Sequence, residues 1–180
     1  MKSKFFFLII LFSFTFLKAQ RIPINVIESN KALISLPNNQ SVELKFKNYF
    51  RATAETFSLV NYKIYENQET PIGKYTKKRM KFKDGSAFKY FLNKKEKQVF
   101  VKDHNGKTVF KGILIFGDED SNINSIEILQ DDTNSDLVKS WVALATVDHY
   151  FGEHKKSFIN DIVFGALVGA GTAIGVMISN

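Results

Sequence analysis

Between Ile22 and Leu129 the chain is cut into short runs in which apolar and polar residues alternate, a pattern that few folds can absorb. Ile22, Ile24 and Val26 alternate with polar neighbours. Val42, Leu44 and Phe46 alternate with Glu43, Lys45 and Lys47, and Met80 and Phe82 with Arg79, Lys81 and Lys83. Successive strand side chains point to opposite faces, so a period of two gives a sheet with one buried face. Turn residues fall between the runs at Pro37-Asn38-Asn39, Pro71-Ile72-Gly73, Asp84-Gly85 and Asn105-Gly106. Asp-Gly and Asn-Gly tolerate the positive φ that tight hairpins need. The pattern predicts about ten strands, near 22–27, 31–36, 41–48, 56–65, 72–78, 79–83, 86–92, 98–103, 107–115 and 123–129. Strands this short, with turns this close, predict an antiparallel meander or a closed barrel.

The period changes after Asp131. Residues 132–136 are polar, and Ser135 or Asp136 suits a helix N-cap. Leu137–Phe151 is apolar around most of a helical circumference, and Gly152 suits a helix end. A helix of that kind is buried on several sides. The expected fold class is therefore mainly β with C-terminal helices: a meander or closed barrel packed on an apolar helix, plus a Gly-rich C-terminal helix. The expected divisions are a β domain at 20–133, the apolar helix at 134–152 and the Gly-rich helix at 158–180.

The two ends are apolar. Lys2 and Lys4 precede the uncharged run Phe5–Leu17, and Leu17-Lys18-Ala19 puts a small residue where a signal peptidase cuts. These are the parts of a secretory signal over residues 1–19. The run is about 13 residues, while a bilayer span takes about 20, which disfavours a retained anchor. The expected location is outside the cytoplasm, in the periplasm or cell envelope. The chain contains no Cys, so packing rather than disulfides must stabilise it. Ile162–Ile178 is uncharged and carries Gly165, Gly169, Gly171 and Gly175. Small residues four apart let helix backbones approach closely in lipid. Lys155 and Lys156 precede this run and no basic residue follows it, against the positive-inside bias of a simple anchor. The run is thus read as a weak membrane anchor, as a helix packed on protein, or as a self-association helix.

Charge is unevenly placed. The formal net charge is +7, and Lys74–Lys111 holds 13 basic residues against 3 acidic ones. Asp118–Asp136 holds 7 acidic residues and no basic one. Lys77, Lys78, Arg79, Lys81, Lys83, Lys94 and Lys95 are candidates for contact with an anionic surface, lipid or glycan, since each basic residue near an anionic bilayer adds about 1 kcal/mol. Aromatic residues interleave with them, as on single-strand nucleic-acid platforms. Export argues against nucleic acid, and the aromatics suit the inner face of the sheet.

No catalytic set is evident. There is no Gly-x-Ser-x-Gly elbow. Asp148-His149 is the best acid–base pair, yet adjacent helical residues point about 100° apart. His149 and His154 are five apart, which does not put both on one helical face. Asp118–Asn124 places oxygens at alternate positions, but Ile123 stands where a calcium loop needs Gly and Leu129 where it needs Glu. No metal and no cofactor is expected.

Tyr62-Lys63-Ile64-Tyr65-Glu66-Asn67, Pro71-Ile72-Gly73-Lys74-Tyr75 and Val101–Gly112 resemble the hairpins of the tubby C-terminal-like fold, the group of LURP-one-related proteins and phospholipid scramblases. Trp141-Val142-Ala143-Leu144-Ala145-Thr146-Val147-Asp148 resembles its central helix. The resemblance covers residues 22–151. It implies a closed barrel wrapped around one hydrophobic helix, and a binding or membrane-associated module without catalytic residues. Two departures stand out: about ten predicted strands where that group has twelve, and an extra apolar segment at the end.

The leading functional expectation is a non-enzymatic cell-envelope binding or structural protein, membrane-associated through its C-terminal helix. A self-assembling pore or effector, through Gly165, Gly169, Gly171 and Gly175, is the second reading. A hydrolase using Asp148 and His149 is the third.

Overall fold

A computed structural model describes residues 20–67, 70–117 and 122–151. Its strands are β1 (Arg21–Glu28), β2 (Lys31–Ser35), β3 (Ser41–Lys45), β4 (Arg51–Thr53), β5 (Phe57–Val60) and β6 (Lys63–Glu66). They continue with β7 (Thr70–Tyr75), β8 (Arg79–Phe82), β9 (Ala87–Asn93), β10 (Gln98–Lys102), β11 (Thr108–Phe116) and β12 (Ile123–Asp131). One helix, α1 (136–151), follows. Each strand pairs antiparallel with the next, and β1 closes on β12 with Arg21 opposite Glu127. The fold is a closed antiparallel barrel with a C-terminal helix, as the alternating pattern predicts, with twelve strands where about ten are expected.

Residues 137–148 of α1 are buried without a break over more than three turns, so every face of the helix is covered. About eight strands make a barrel whose own side chains fill it; twelve leave a lumen. α1 occupies that lumen. Trp141, Val142, Ala143 and Leu144 are wholly buried against inward residues such as Ile34, Leu44, Leu59, Ile64, Met80 and Val99. The outward face of the strands carries charge, for example Lys31, Glu43, Lys45, Lys74, Lys89 and Lys111. That is the reverse of a membrane-spanning barrel, which is apolar outside. Among the described residues no helix is long and apolar enough to cross a membrane. The signal segment 1–19 and the Gly-rich run 158–180, with Gly165, Gly169, Gly171 and Gly175, lie outside the described residues.

Most of the polar groups that α1 takes inside are satisfied, while the wholly buried Ser140 hydroxyl has no hydrogen-bond partner among the described residues. Ser135 caps it, its Oγ accepting from the Val138 N–H at 3.3 Å. Lys139 is buried between Asp131 at 3.0 Å and Asp136 at 3.4 Å, which ties the start of the helix to the end of β12. Thr146 Oγ1 donates back to the Val142 carbonyl at 2.8 Å.

The hairpins expected at Asp84-Gly85 and Asn105-Gly106 join β8 to β9 and β10 to β11, with Gly85 at φ 91° and Gly106 at φ 82°. Three expectations need correction. The single strand expected at 56–65 is two strands, β5 and β6, joined by Asn61-Tyr62. Both residues take positive φ, 51° and 62°, as a two-residue primed turn requires. The three-residue β4 is a strand that the alternating pattern does not mark. Pro71-Ile72-Gly73 lies inside β7 rather than in a turn. Ile64 pairs with Gly73 and Tyr65 with Pro71, so Ile72 is the extra residue of a bulge, where a strand tolerates proline.

Trp141→Ala should cost about 3–5 kcal/mol in denaturant unfolding, because it empties the middle of the lumen. A loss below about 1 kcal/mol would contradict a helix-filled core. The acid limb of stability should involve Glu43, whose carboxyl is held below its ordinary range by the hydrogen bond from Lys31, against some opposing burial. A depressed folded value gives stability that is present above the unfolded value, about 4.3, and lost as pH falls through the folded one. Glu43→Gln should therefore show a shallower fall in Tm than the parent between about pH 5 and pH 3.

Candidate functional site

The up-and-down path sends alternate connections to opposite rims of the barrel. α1 enters at the rim that holds the β2–β3, β4–β5, β6–β7, β8–β9 and β10–β11 connections. Its last described turn reaches the other rim, where Phe151 packs on Phe46 at 5.5 Å and Tyr150 on Phe116 at 5.4 Å. The β1–β2, β3–β4, β5–β6, β7–β8, β9–β10 and β11–β12 connections gather at this exit rim.

A cleft of about 780 Å³ opens there. Lys47, Lys77, Lys78, Arg79, Lys89 and Lys94 line it, against Asp148 as the one acidic residue. Tyr90, Phe91 and Leu92 of β9 form an apolar wall, and Ala145, Asp148 and His149 of α1 form the floor. Its lining contains no Ser, Thr or Cys.

Asp148 organises the floor. Its carboxylate is almost fully buried. One oxygen accepts the Lys47 N–H at 2.8 Å, and the other pairs with Lys77 Nζ. The carboxylate thus holds the β3–β4 and β7–β8 connections to the end of α1. Trp141 Nε1 donates to the Thr76 carbonyl at 2.8 Å and adds a second pin to the β7–β8 connection. Tyr90 Oη lies 2.9 Å from Thr146 Oγ1, whose own proton goes to Val142, so Tyr90 is the donor. Burial pushes the Tyr90 phenol well above its ordinary range, which keeps it a protonated donor.

The rim is built from unusual backbone. Lys47, Phe50, Tyr62 and Lys97 all take positive φ, at 71°, 35°, 62° and 52°. Left-handed backbone costs a residue with a Cβ about 1–2 kcal/mol, and glycine nothing comparable. Tyr75 braces two of these turns: its Oη donates to the Phe50 carbonyl at 2.7 Å and its N–H to the Tyr62 carbonyl at 3.0 Å. Its ring stacks on Phe50 and meets Tyr62, and Lys77 Nζ stands 5.4 Å from the Phe50 ring centre.

The basic residues singled out in the sequence are divided by the fold. Lys77, Lys78, Arg79 and Lys94 line the cleft, and Lys95 is exposed on the same rim. Lys81 points outward from the wall of β8, and Lys83 lies at the entry rim. Lys47, Lys89 and Tyr90 join the cleft residues, although the sequence pattern assigns Lys47 to a strand and Tyr90 to the aromatics of the sheet's inner face. The period of two puts Lys47 at the outward end of a longer β3, whereas it lies in a connection with left-handed backbone. The Asp148-His149 pair sits at the cleft floor, but both carboxylate oxygens of Asp148 are already engaged. His104 is exposed in the β10–β11 connection. Among the described residues no cluster of three or more His, Cys, Asp or Glu could hold a metal.

No family model, curated protein or solved structure matches this chain.

Removing the Asp148 carboxylate should release the rim. Asp148→Ala leaves the Lys47 N–H without its acceptor and should cost about 1–3 kcal/mol. Hydrogen exchange at the Lys47 amide should accelerate well before that of β10 and β11, and equal acceleration everywhere would refute the local pin.

Proposed function

We propose that the chain is an exported, non-enzymatic binding or structural protein of the cell envelope, held at a membrane through residues 158–180. The observation that carries this reading is the basic cleft at the exit rim. The barrel offers its concentrated positive charge at the rim from which the chain continues towards its apolar C-terminal run. An anionic group is the matching ligand, from a lipid headgroup or an acidic glycan; the shared chemistry is phosphate or carboxylate. The secretory features of residues 1–19 agree with this location. The twelve-strand count and the helix in the lumen support the resemblance to the tubby C-terminal-like fold. They also remove the strand-count departure noted from sequence.

Fractionation of the native host tests the reading. The full mature chain should sediment with membranes, and a chain ending at residue 157 should appear in the soluble fraction. A full-length chain that stays soluble without detergent would refute membrane attachment. Crosslinking addresses the self-assembly reading. Oligomers abolished by Gly169→Leu with Gly171→Leu would favour it, and oligomers unchanged by that double variant would reject it.

A further inference from the structure

Among the described residues, four of the five exposed large apolar side chains lie at or near one rim. Tyr49 is 63 % exposed in the β3–β4 connection and Tyr62 is 64 % exposed in the β5–β6 turn. Phe91 is 45 % exposed near the end of β9, and Ile27 is 48 % exposed at a bulge near the end of β1. All belong to the exit rim. Backbone strain follows the same division. Among the described residues, the left-handed positions of the entry rim are held by Asn39, Asn67, Asn134, Gly85 and Gly106, the residues that tolerate that conformation. At the exit rim Asn61 is joined by Lys47, Phe50, Tyr62 and Lys97, which do not. Glycine would be the cheaper choice at Lys47 and Tyr62, so these positions keep a cation and an aromatic ring against the preference of the backbone.

We propose that the arc of the exit rim from the β3–β4 connection to the β9–β10 connection is a docking face for an anionic bilayer. Tyr49 and Tyr62 sit at headgroup depth, and Lys47, Lys77, Lys78 and Arg79 meet the lipid phosphates. This rests on the membrane reading above and adds which surface of the barrel faces the lipid. Three observations select a bilayer as the occupant. Tyrosine and basic residues interleave along the arc, the composition that suits a membrane–water interface. The charge is complementary: the entry rim is on balance acidic, with Glu55, Asp103 and Asp132. The last described residue, Phe151, also lies at this rim, and Lys155, Lys156 and the apolar run follow it in sequence. The arc runs along the ends of β4 to β9, so the barrel docks with these strands nearest the lipid.

Because the chain contains no Cys, single labels can report the docked face. In the full mature chain, Tyr49→Cys, Tyr62→Cys and, at the entry rim, Asn105→Cys are each labelled with an environment-sensitive dye. They are mixed with vesicles of phosphatidylglycerol and phosphatidylcholine. The expected result is a blue shift at positions 49 and 62, reversed in part by salt, and none at 105. A second variant, Tyr62→Gly, should keep or raise the thermal midpoint while weakening partition onto these vesicles about three- to tenfold. A chain that binds vesicles with labels 49 and 62 unshifted, or with 105 shifted, overturns the docking face and leaves the tail anchor intact. A full chain that binds no vesicle overturns the membrane reading itself. A midpoint kept in Tyr62→Gly with partition unchanged overturns the role of Tyr62.

Discussion

The burial of α1 on every side is the constraint around which the barrel is arranged. A helix with no exposed face over three turns needs a wall on all sides, and twelve short strands are enough to surround it. The inward face mixes large residues such as Phe46, Ile64 and Met80 with small ones at Ala32 and Ala52, and at Gly73 and Gly112 the neighbouring strands approach too closely for a Cβ. The polar groups carried inside define its axial position. Lys139 is fixed between Asp131 and Asp136 at the entry, and Asp148 between Lys47 and Lys77 at the exit. A shift by one turn would leave buried charge unpaired at both ends, at a cost of several kcal/mol.

The exit-side anchoring is also what builds the cleft. Asp148 draws the β3–β4 and β7–β8 connections towards the end of α1 and neutralises part of the charge they bring. Lys78, Arg79 and Lys89 remain without a carboxylate partner among the described residues, beside the apolar wall of Tyr90, Phe91 and Leu92. Basic groups and an apolar wall thus stand side by side in the cleft. Tyr90, kept protonated by burial, is spent on Thr146, which makes it a brace of the wall rather than a reacting group.

Much of this architecture is legible in the residues. The alternation of Val42, Leu44 and Phe46, the Asp84-Gly85 and Asn105-Gly106 turns and the all-round apolar helix each state a local preference that the fold obeys. The failures share a cause. Asn61-Tyr62 forms a turn that usually has glycine second, so Tyr62 disguises two strands as one. Pro71 reads as a breaker because proline removes a ladder donor, and only the bulge at Ile72 makes it acceptable. The cleft was half visible: the clustering of Lys77, Lys78 and Arg79 is a sequence fact. Lys47 and Lys89 join them through pairing of distant strands, and Lys83 leaves them because β8 carries it to the other rim.

The order of elements along the chain has a consequence for how the molecule comes into being. The closing pair, Arg21 with Glu127, lies 106 residues apart, and the element that fills the interior is later still. Until residues near 151 have been synthesised, the strands have nothing to wrap, and a half-made sheet would expose its apolar face to water. Closure must wait for contacts of the longest sequence separation, the slow route in folding. Early segments therefore gain little by folding ahead of the rest. In this order of elements, the contacts that close the barrel and fill it are the last that synthesis makes possible.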